Sequence, residues 1–300
     1  MTESASPYRG RFAPNPTGPL HFGSIITALA SYLQARHQQG QWFVRIDDLD
    51  TARCVAGADS AILRSLYAYQ LHWDGEIQYQ SQQTRHYQAA FDTLYQKQLC
   101  YPCGCSRSEV ARIASVGEEG PIYPGTCRNG IANGKPTRAH RARVGQAEVN
   151  FTDAVQGDIN QSLEREVGDF VIKRADRLFA YQLATVVDDA SLGITEIVRG
   201  SDLLFSTPRQ VWLQQQLALS TPNYAHIPIA VNAAGEKLSK HRQAPAIDCR
   251  DPLPTLVSAL RYLKQPLPDA INDATMAELL SFAVDNWTIV TIPSELTRLC

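Results

Sequence analysis

The period of the apolar positions changes several times along the chain, and each change marks an element. Arg9–Phe12 reads as a short strand. It runs into PNPTGPLHFG, residues 14–23, where closely spaced prolines and glycines rule out both helix and a regular ladder. In the next stretch, SIITALASYLQARHQQ, the side chains of Ile25, Ile26, Leu29 and Leu33 fall on one helical face, with Gly40 expected to end the helix. QWFVRI, residues 41–46, reads as a buried strand closed by the acidic run DDLD. Strand, loop, helix and strand within roughly 40 residues make a βαβ unit with a right-handed crossover.

Helical periodicity returns at about 57–70 and 84–99, before a cysteine-rich stretch and short alternating segments near 138–151 that read as antiparallel strands. From GDFVIKR the α/β style resumes, with the apolar run YQLATVVDDA, a strand at ITEIVRG, a helix near 207–219 and a strand at HIPIAVN. The tail, 253–300, carries two short helical patterns and no strong strand. A nucleotide-type fold split by an inserted module accounts for this order.

An apolar content of 44% supports a sizeable core and excludes disorder as a class. The opening MTESASPYRG lacks the basic start and apolar run of a signal peptide, and no apolar run approaches the ~20 residues that span a bilayer. A soluble cytoplasmic chain with no membrane partner is expected. The net charge of -2 provides no global field for nucleic acid, so such a partner would need a local basic patch. TRAHRARV supplies one, with Arg138, His140, Arg141 and Arg143.

Seven cysteines, an odd number with one dense cluster, fit a reducing compartment better than a disulfide scaffold, and the cluster points to metal. Cys103 and Cys105 form a CxC pair, and Cys127 lies beyond a loop with Tyr123 four residues before it. Tetrahedral structural zinc favours thiolates, so three sulfurs leave one position, for which Cys100 is the thiolate that chemistry alone favours. Cys54, Cys249 and Cys300 read as ordinary thiols.

Two loops carry candidate chemistry. The first starts a helix beside His21 and Gly23 at the carboxyl end of a strand, where backbone N–H groups and the helix dipole make an anion site. The second, GEKLSKH at residues 235–241, offers Lys237 and Lys240, whose ammonium groups can neutralise charge developing on a transferring phosphate. Alone, the first does not separate an anion site from a rigid turn, and the second reads as a solvated loop.

Taken together, HFGS and KLSKH resemble the HIGH and KMSKS signatures of class I aminoacyl-tRNA synthetases. RFAPNPTGPLHFGS, VRIDDLD, FAYQLATVVDDASLGITEIVRGSDLL and KLSKH are similar to the catalytic domains of glutamyl-tRNA synthetases, over residues 9–241. Phe22 in LHFGS, the short length and the early cysteine cluster resemble a truncated branch of that family, which attaches glutamate to queuosine in a tRNA anticodon.

The resemblance implies an α/β fold: a Rossmann-type parallel sheet split by an inserted zinc-containing α+β module, with a short helical C-terminal segment. Residues 1–99 and 169–243 would form the two catalytic halves, 100–168 the zinc-binding and acceptor-contact module, and 244–300 a small helical subdomain, with no separate anticodon-binding domain. It also implies ATP-dependent formation of glutamyl-adenylate, with His21, Lys237 and Lys240 as catalytic donors, and His21, Gly23 and Lys240 against ATP and its accompanying Mg2+. L-glutamate would meet Arg11, Phe12, Ala13, Pro14, Asn15, Asp47, Tyr181 and Arg199. Asp47 stands where relatives carry glutamate against the substrate ammonium, and Asn15 replaces a more usual serine. One Zn2+ would be held by Cys103, Cys105, Tyr123 and Cys127, with the tyrosine filling the fourth position.

The acceptor implied is tRNA(Asp) bearing queuosine, with Arg138, Arg141 and Arg143 as candidate contacts of a monomeric enzyme. Charging of a tRNA 3' end is the alternative, against which stands the length of only about 60 residues after KLSKH, short for an anticodon-binding region. A catalytically silent tRNA binder is a third reading, opposed by the intact His21, Lys237 and Lys240, and a small nucleotidyltransferase a fourth.

Overall fold

Arg9–Phe12 and Gln41–Ile46 pair in parallel, from Arg9 opposite Gln41 to Phe12 opposite Val44, and the helix Phe22–His37 makes the crossover between them. In the computed structural model the described residues are 7–117, 120–132, 134–232, 234–235, 245–271 and 273–299. The first helix stops slightly differently from expectation. Gln39 takes the left-handed conformation (φ 52°), while Gly40 is required for space, since a Cβ there would meet the Tyr8 carbonyl oxygen at 2.5 Å.

Gln78–Tyr79 extends this first sheet beside Gln41–Ile46. A second sheet has the order 196–200, 223–227, 148–153, 157–162, parallel except for the last pair. The two meet where the Thr195 amide donates to the Arg9 carbonyl and the Arg9 amide donates to Thr195 Oγ1, both at 2.9 Å. Arg9–Phe12 and Glu196–Gly200 therefore lie side by side, with chain crossovers leaving in opposite directions. In open α/β sheets that switch point is where a crevice opens at the carboxyl ends of the strands.

The middle of the chain departs from the expected boundaries. Cys100–Cys103, Ala139–Ala142 and Val171–Lys173 form an antiparallel sheet of their own, with Ala139–Ala142 in the centre. Glu148–Asp153 and Gly157–Ser162, expected within the inserted module, belong instead to the second sheet. Val171–Lys173, expected in the second catalytic half, belongs to the module's sheet. Local alternation shows that a segment is a strand; which sheet it joins is decided by non-local pairing that the alternation does not encode.

The C-terminal helices Leu253–Tyr262 and Met276–Asp285 share one core with the first helix, through buried Leu256, Leu260, Leu279 and Leu33. Thr297–Leu299 adds a short strand parallel to Ile229–Val231. Three residues show no readable period, which is why the tail carries no strand signal. Among the described residues no helix is long and apolar enough to cross a membrane.

Candidate active site and metal centre

A cavity of about 330 Å3 opens at the switch point. Arg11 and Phe12 enter from the end of the first strand, Ala13, Pro14 and Asn15 from the loop after it, and His21 and Gly23 from the start of the first helix. Tyr181 begins the helix Tyr181–Ser191, and Arg199 comes from Glu196–Gly200. Nine of the expected site residues thus surround one space. Arg53, which the sequence does not single out, lies at the same cavity with a 61% exposed side chain, at the rim rather than the floor.

His21 is the N-cap of the first helix, and its Nδ1 accepts from the Ser24 amide at 3.3 Å. A capping histidine that accepts at Nδ1 carries its proton on Nε2, so the ring presents a donor. Ala246 pairs with His21 across an isolated bridge, and the Ile247 amide donates to the Leu20 carbonyl at 3.1 Å. Lys237 and Lys240 fall at 236–244, outside the described residues.

Beneath the cavity lies a buried charge network that ties the expected Arg11 and Asp47 to Arg45, Asp188 and Asp189, which sequence reading missed. Arg11 Nε donates to Asp189 Oδ1 at 3.1 Å. Fully buried Arg45 donates through Nη1 to the same oxygen at 2.6 Å, through Nε to Asp47 Oδ1 at 2.6 Å, and lies 3.7 Å from Asp188 Oδ2. Burial works to raise the Asp189 pKa, but the guanidiniums of Arg11 and Arg45 outweigh it and hold the carboxyl below its ordinary value. Burial pushes Asp188 up to about 7 against the pull of Arg45 and hydrogen bonds from Tyr87 and Gln80.

Asp47, expected against the substrate ammonium, is not among the cavity residues. Arg45 engages both its oxygens, at 2.6 and 3.3 Å. An aspartate is one methylene shorter than the glutamate usual there, and its carboxylate stays against the neighbour two residues back in the strand. The VRIDD and VVDDA runs carried the only signal for this network: charges inside apolar strands and helices are buried only when paired.

Arg199 is held differently. Its Nε donates to His226 Nε2 at 3.0 Å, and its Nη2 to Thr207 Oγ1 at 2.7 Å and Gln210 Oε1 at 2.8 Å. Its Nη1 is buried and has no partner among the described residues. Among those residues no carboxylate pairs with Arg199, so the charge of a buried guanidinium at the cavity is left uncompensated. Such a site is suited to a carboxylate.

The Sγ atoms of Cys103, Cys105 and Cys127 lie within 4.8 Å of one another, a grouping that can hold a metal ion. The Tyr123 hydroxyl lies 3.4 Å from Cys103 Sγ and 3.5 Å from Cys105 Sγ, while Cys105 and Cys127 Sγ are 3.7 Å apart. Cys100, the other candidate for the fourth position, packs instead with the core around Tyr87 and Phe170. It is not among the three grouped sulfurs, and burial pushes its thiol up to about 12.

Two arginines of the basic patch turn towards this centre. Arg141 lies 3.8 Å over the Tyr123 ring and donates through Nε to Cys103 Sγ at 3.4 Å. Arg143 lies over the Tyr101 ring at 5.0 Å and donates to the Arg128 carbonyl. His140 packs edge-on against Phe91 at 5.0 Å. Arg138 is exposed.

A parallel sheet with an HFGS helix start at its switch point defines a class I synthetase catalytic domain, and comparison with known proteins agrees. Residues 8–251 match the family described as tRNA synthetases class I (E and Q), catalytic domain. The chain is 51% identical over 292 residues to a glutamyl-Q tRNA(Asp) synthetase of Dechloromonas aromatica (strain RCB), covering 97% of each chain. A protein of the same name from Thiobacillus denitrificans (strain ATCC 25259 / T1) is 50% identical, over 95% of each. The chain belongs to the glutamyl-Q tRNA(Asp) synthetase family. Its fold is shared with a solved glutamate tRNA ligase from Elizabethkingia meningosepticum, at a TM-score of 0.79 and 21% identity, over 97% of this chain and 66% of that one.

Proposed function

We propose that this chain activates L-glutamate with ATP and transfers the glutamyl group to the cyclopentenediol of queuosine at the wobble position of tRNA(Asp), in the cytoplasm. The observation that carries this is the cavity at the switch point. Arg199 lines it as a buried guanidinium that no carboxylate among the described residues neutralises, and His21 stands at the start of the adjoining helix.

In the first step a glutamate carboxylate oxygen attacks the α-phosphorus of ATP, and the bond to the bridging oxygen breaks to release pyrophosphate. Negative charge grows on the phosphoryl oxygens, and the Nε2–H of His21 with Lys240 and Lys237 are the donors to it. Mg2+ would accompany the ATP phosphates. Arg199, with Arg11 and Tyr181, orients the amino acid. Asn15, exposed on the rim, offers an amide where a serine is usual. In the second step a ring hydroxyl attacks the activated acyl carbon, the carbon–oxygen bond to phosphate breaks, and AMP leaves with the electron pair while the hydroxyl proton passes to solvent. Because AMP is a good leaving group, alignment of the two reactants supplies most of the acceleration.

Cys103, Cys105, Cys127 and Tyr123 would hold one Zn2+. Tetrahedral zinc with Zn–S of ~2.3 Å and Zn–O of ~2.0 Å has S···S edges of about 3.8 Å and S···O edges of about 3.5 Å, and the distances of 3.7, 3.4 and 3.5 Å fit these. When bound, the metal ties the strand Cys100–Cys103 to the loop at Tyr123–Cys127 and supplies no chemistry to the cavity.

The test is glutamate-dependent exchange of pyrophosphate into ATP, present in the wild type and lost in Lys240→Ala, followed by labelling of tRNA(Asp) with glutamate. Label should enter tRNA carrying queuosine and not the same tRNA carrying guanine at the wobble position. Equal labelling of both, released by trimming the 3' adenosine, would mean 3'-end charging instead.

A further inference from the structure

Arg199, His226 and Asp153 come from three adjacent strands. Arg199 and His226 are direct partners in the parallel register of Glu196–Gly200 and Asn223–Ile227, and Asp153 lies opposite Tyr224 at the end of the next strand. All three are buried, His226 completely. Asp153 Oδ2 is 2.6 Å from His226 Nδ1, while Asp153 Oδ1 accepts from the backbone amides of His226, Val155 and Gln156 at 2.9–3.0 Å.

This arrangement assigns the histidine tautomer. A carboxylate can only accept, so His226 Nδ1 carries the proton and Nε2 is left as an acceptor, facing Arg199 Nε at 3.0 Å. Burial among Arg199, Thr207 and the stacked Tyr224 ring pushes the imidazole down to about 4, so it is neutral near pH 7. Arg199 is therefore oriented by a neutral group, and the nearest carboxylate in the chain of bonds, Asp153, is one ring away. Arg11 provides the contrast, since Asp189 pairs with it directly and compensates its charge.

We infer that Asp153 and His226 are positioning residues that hold Arg199 in place without neutralising it, and so set the preference for a carboxylate over an amide on the amino-acid side chain. The inference rests on glutamate being the substrate. A direct acid on Arg199 would supply internally the charge that the substrate otherwise brings. The interposed imidazole fixes the fork and leaves the net charge uncompensated for the ligand at the cavity.

Asp153→Asn tests this, because the backbone amides keep the side-chain oxygen at the Oδ1 position and turn the NH2 towards His226 Nδ1. The proton then moves to Nε2, which opposes the Arg199 Nε–H. In pyrophosphate exchange the KM for glutamate should rise at least about tenfold, with kcat and the KM for ATP within about twofold of wild type. The kcat/KM ratio of glutamate to glutamine should fall at least about tenfold. An unchanged glutamate KM, or an equal fall in all parameters, would overturn the inference. Ring 15N shifts of His226 in the wild type give a reading independent of any variant's folding. A neutral Nδ1–H form at pH 7 is expected, and an Nε2–H form or an imidazolium would overturn the assignment. Absence of exchange in the wild type would instead remove glutamate as substrate and with it the carboxylate preference, leaving the 15N spectrum to decide whether the positioning pair exists.

Discussion

Arg45 never reaches the cavity, yet its Nη1 donates at 2.6 Å to the same Asp189 oxygen that accepts from Arg11 Nε at 3.1 Å. One buried guanidinium thereby fixes another that lines the site. Arg11, Arg45, Asp47, Asp188 and Asp189 form a single network in which three carboxyls face two guanidiniums.

Removing Arg45 exposes the cost of burying those acids. Breaking one side of a buried ion pair typically costs about 3–5 kcal/mol, because the partner keeps its desolvation penalty and loses its compensation. Arg45→Met should lose stability on that order in urea denaturation and raise the glutamate KM through the loosened Arg11. A variant as stable as wild type would show that the network contributes nothing net to the fold.

The surplus carboxyl gives a pH signature. Burial pushes Asp188 up to about 7, above its value of 3.8 in the unfolded chain. A group raised in this way contributes stability that is fully present below its unfolded pKa and is lost as pH rises through its folded pKa. Asp188→Asn imitates the protonated form and lacks this loss. The Tm of the variant relative to wild type should therefore move upward between pH 5 and pH 7 and level off above, since opposing contributions such as that of buried His226 are common to both proteins. A Tm difference that is constant across that range would place the proton elsewhere.

The metal centre separates the two candidate fourth ligands. Purified protein should contain about one zinc per chain, and Cys103→Ser should lose it, because three of four ligands rarely retain structural zinc. Tyr123→Phe should weaken zinc binding at least about tenfold in chelator competition. Cys100→Ser should leave it unchanged, since that thiol packs in a different part of the core. The reverse order of effects would make Cys100 the ligand.

What could be read from the sequence divides along physical lines. Gln41–Ile46 was legible to the residue because its apolar run is bounded by Gly40 and the acidic DDLD, and Arg9–Phe12 because a proline-rich loop follows it. His21, Arg11 and Arg199, which line the cavity, were legible through short motifs at a helix start and at strand ends. Their supports were not. Asp153 and His226 are separated by 73 positions, and neither has a local pattern to mark it. The same reason hid the sheet membership of Glu148–Asp153. Its one pairing with the parallel strands, Asp153 beside Tyr224, is a non-local event. Composition reads TRAHRARV as one basic patch and does not reveal that aromatic neighbours supplied by distant segments turn two of its arginines inward.

That inward turn yields opposite expectations for neighbouring arginines. Arg141 donates to Cys103 of the cysteine cluster and covers the Tyr123 ring, so its positive charge would offset the surplus negative charge of three thiolates and a phenolate around the proposed zinc ion. Arg141→Leu should therefore speed zinc loss to a chelator, while leaving the KM for queuosine-bearing tRNA within about twofold once zinc is replenished. Arg138 is exposed, and an exposed arginine on a chain of net charge -2 can contribute to tRNA binding only by a local phosphate contact. Arg138→Glu should raise the tRNA KM several-fold at low salt, with the difference shrinking as salt rises, and should leave zinc retention untouched. A tRNA KM that responds to Arg141 and not to Arg138 would mean that the patch meets its acceptor through the arginines packed against the metal centre.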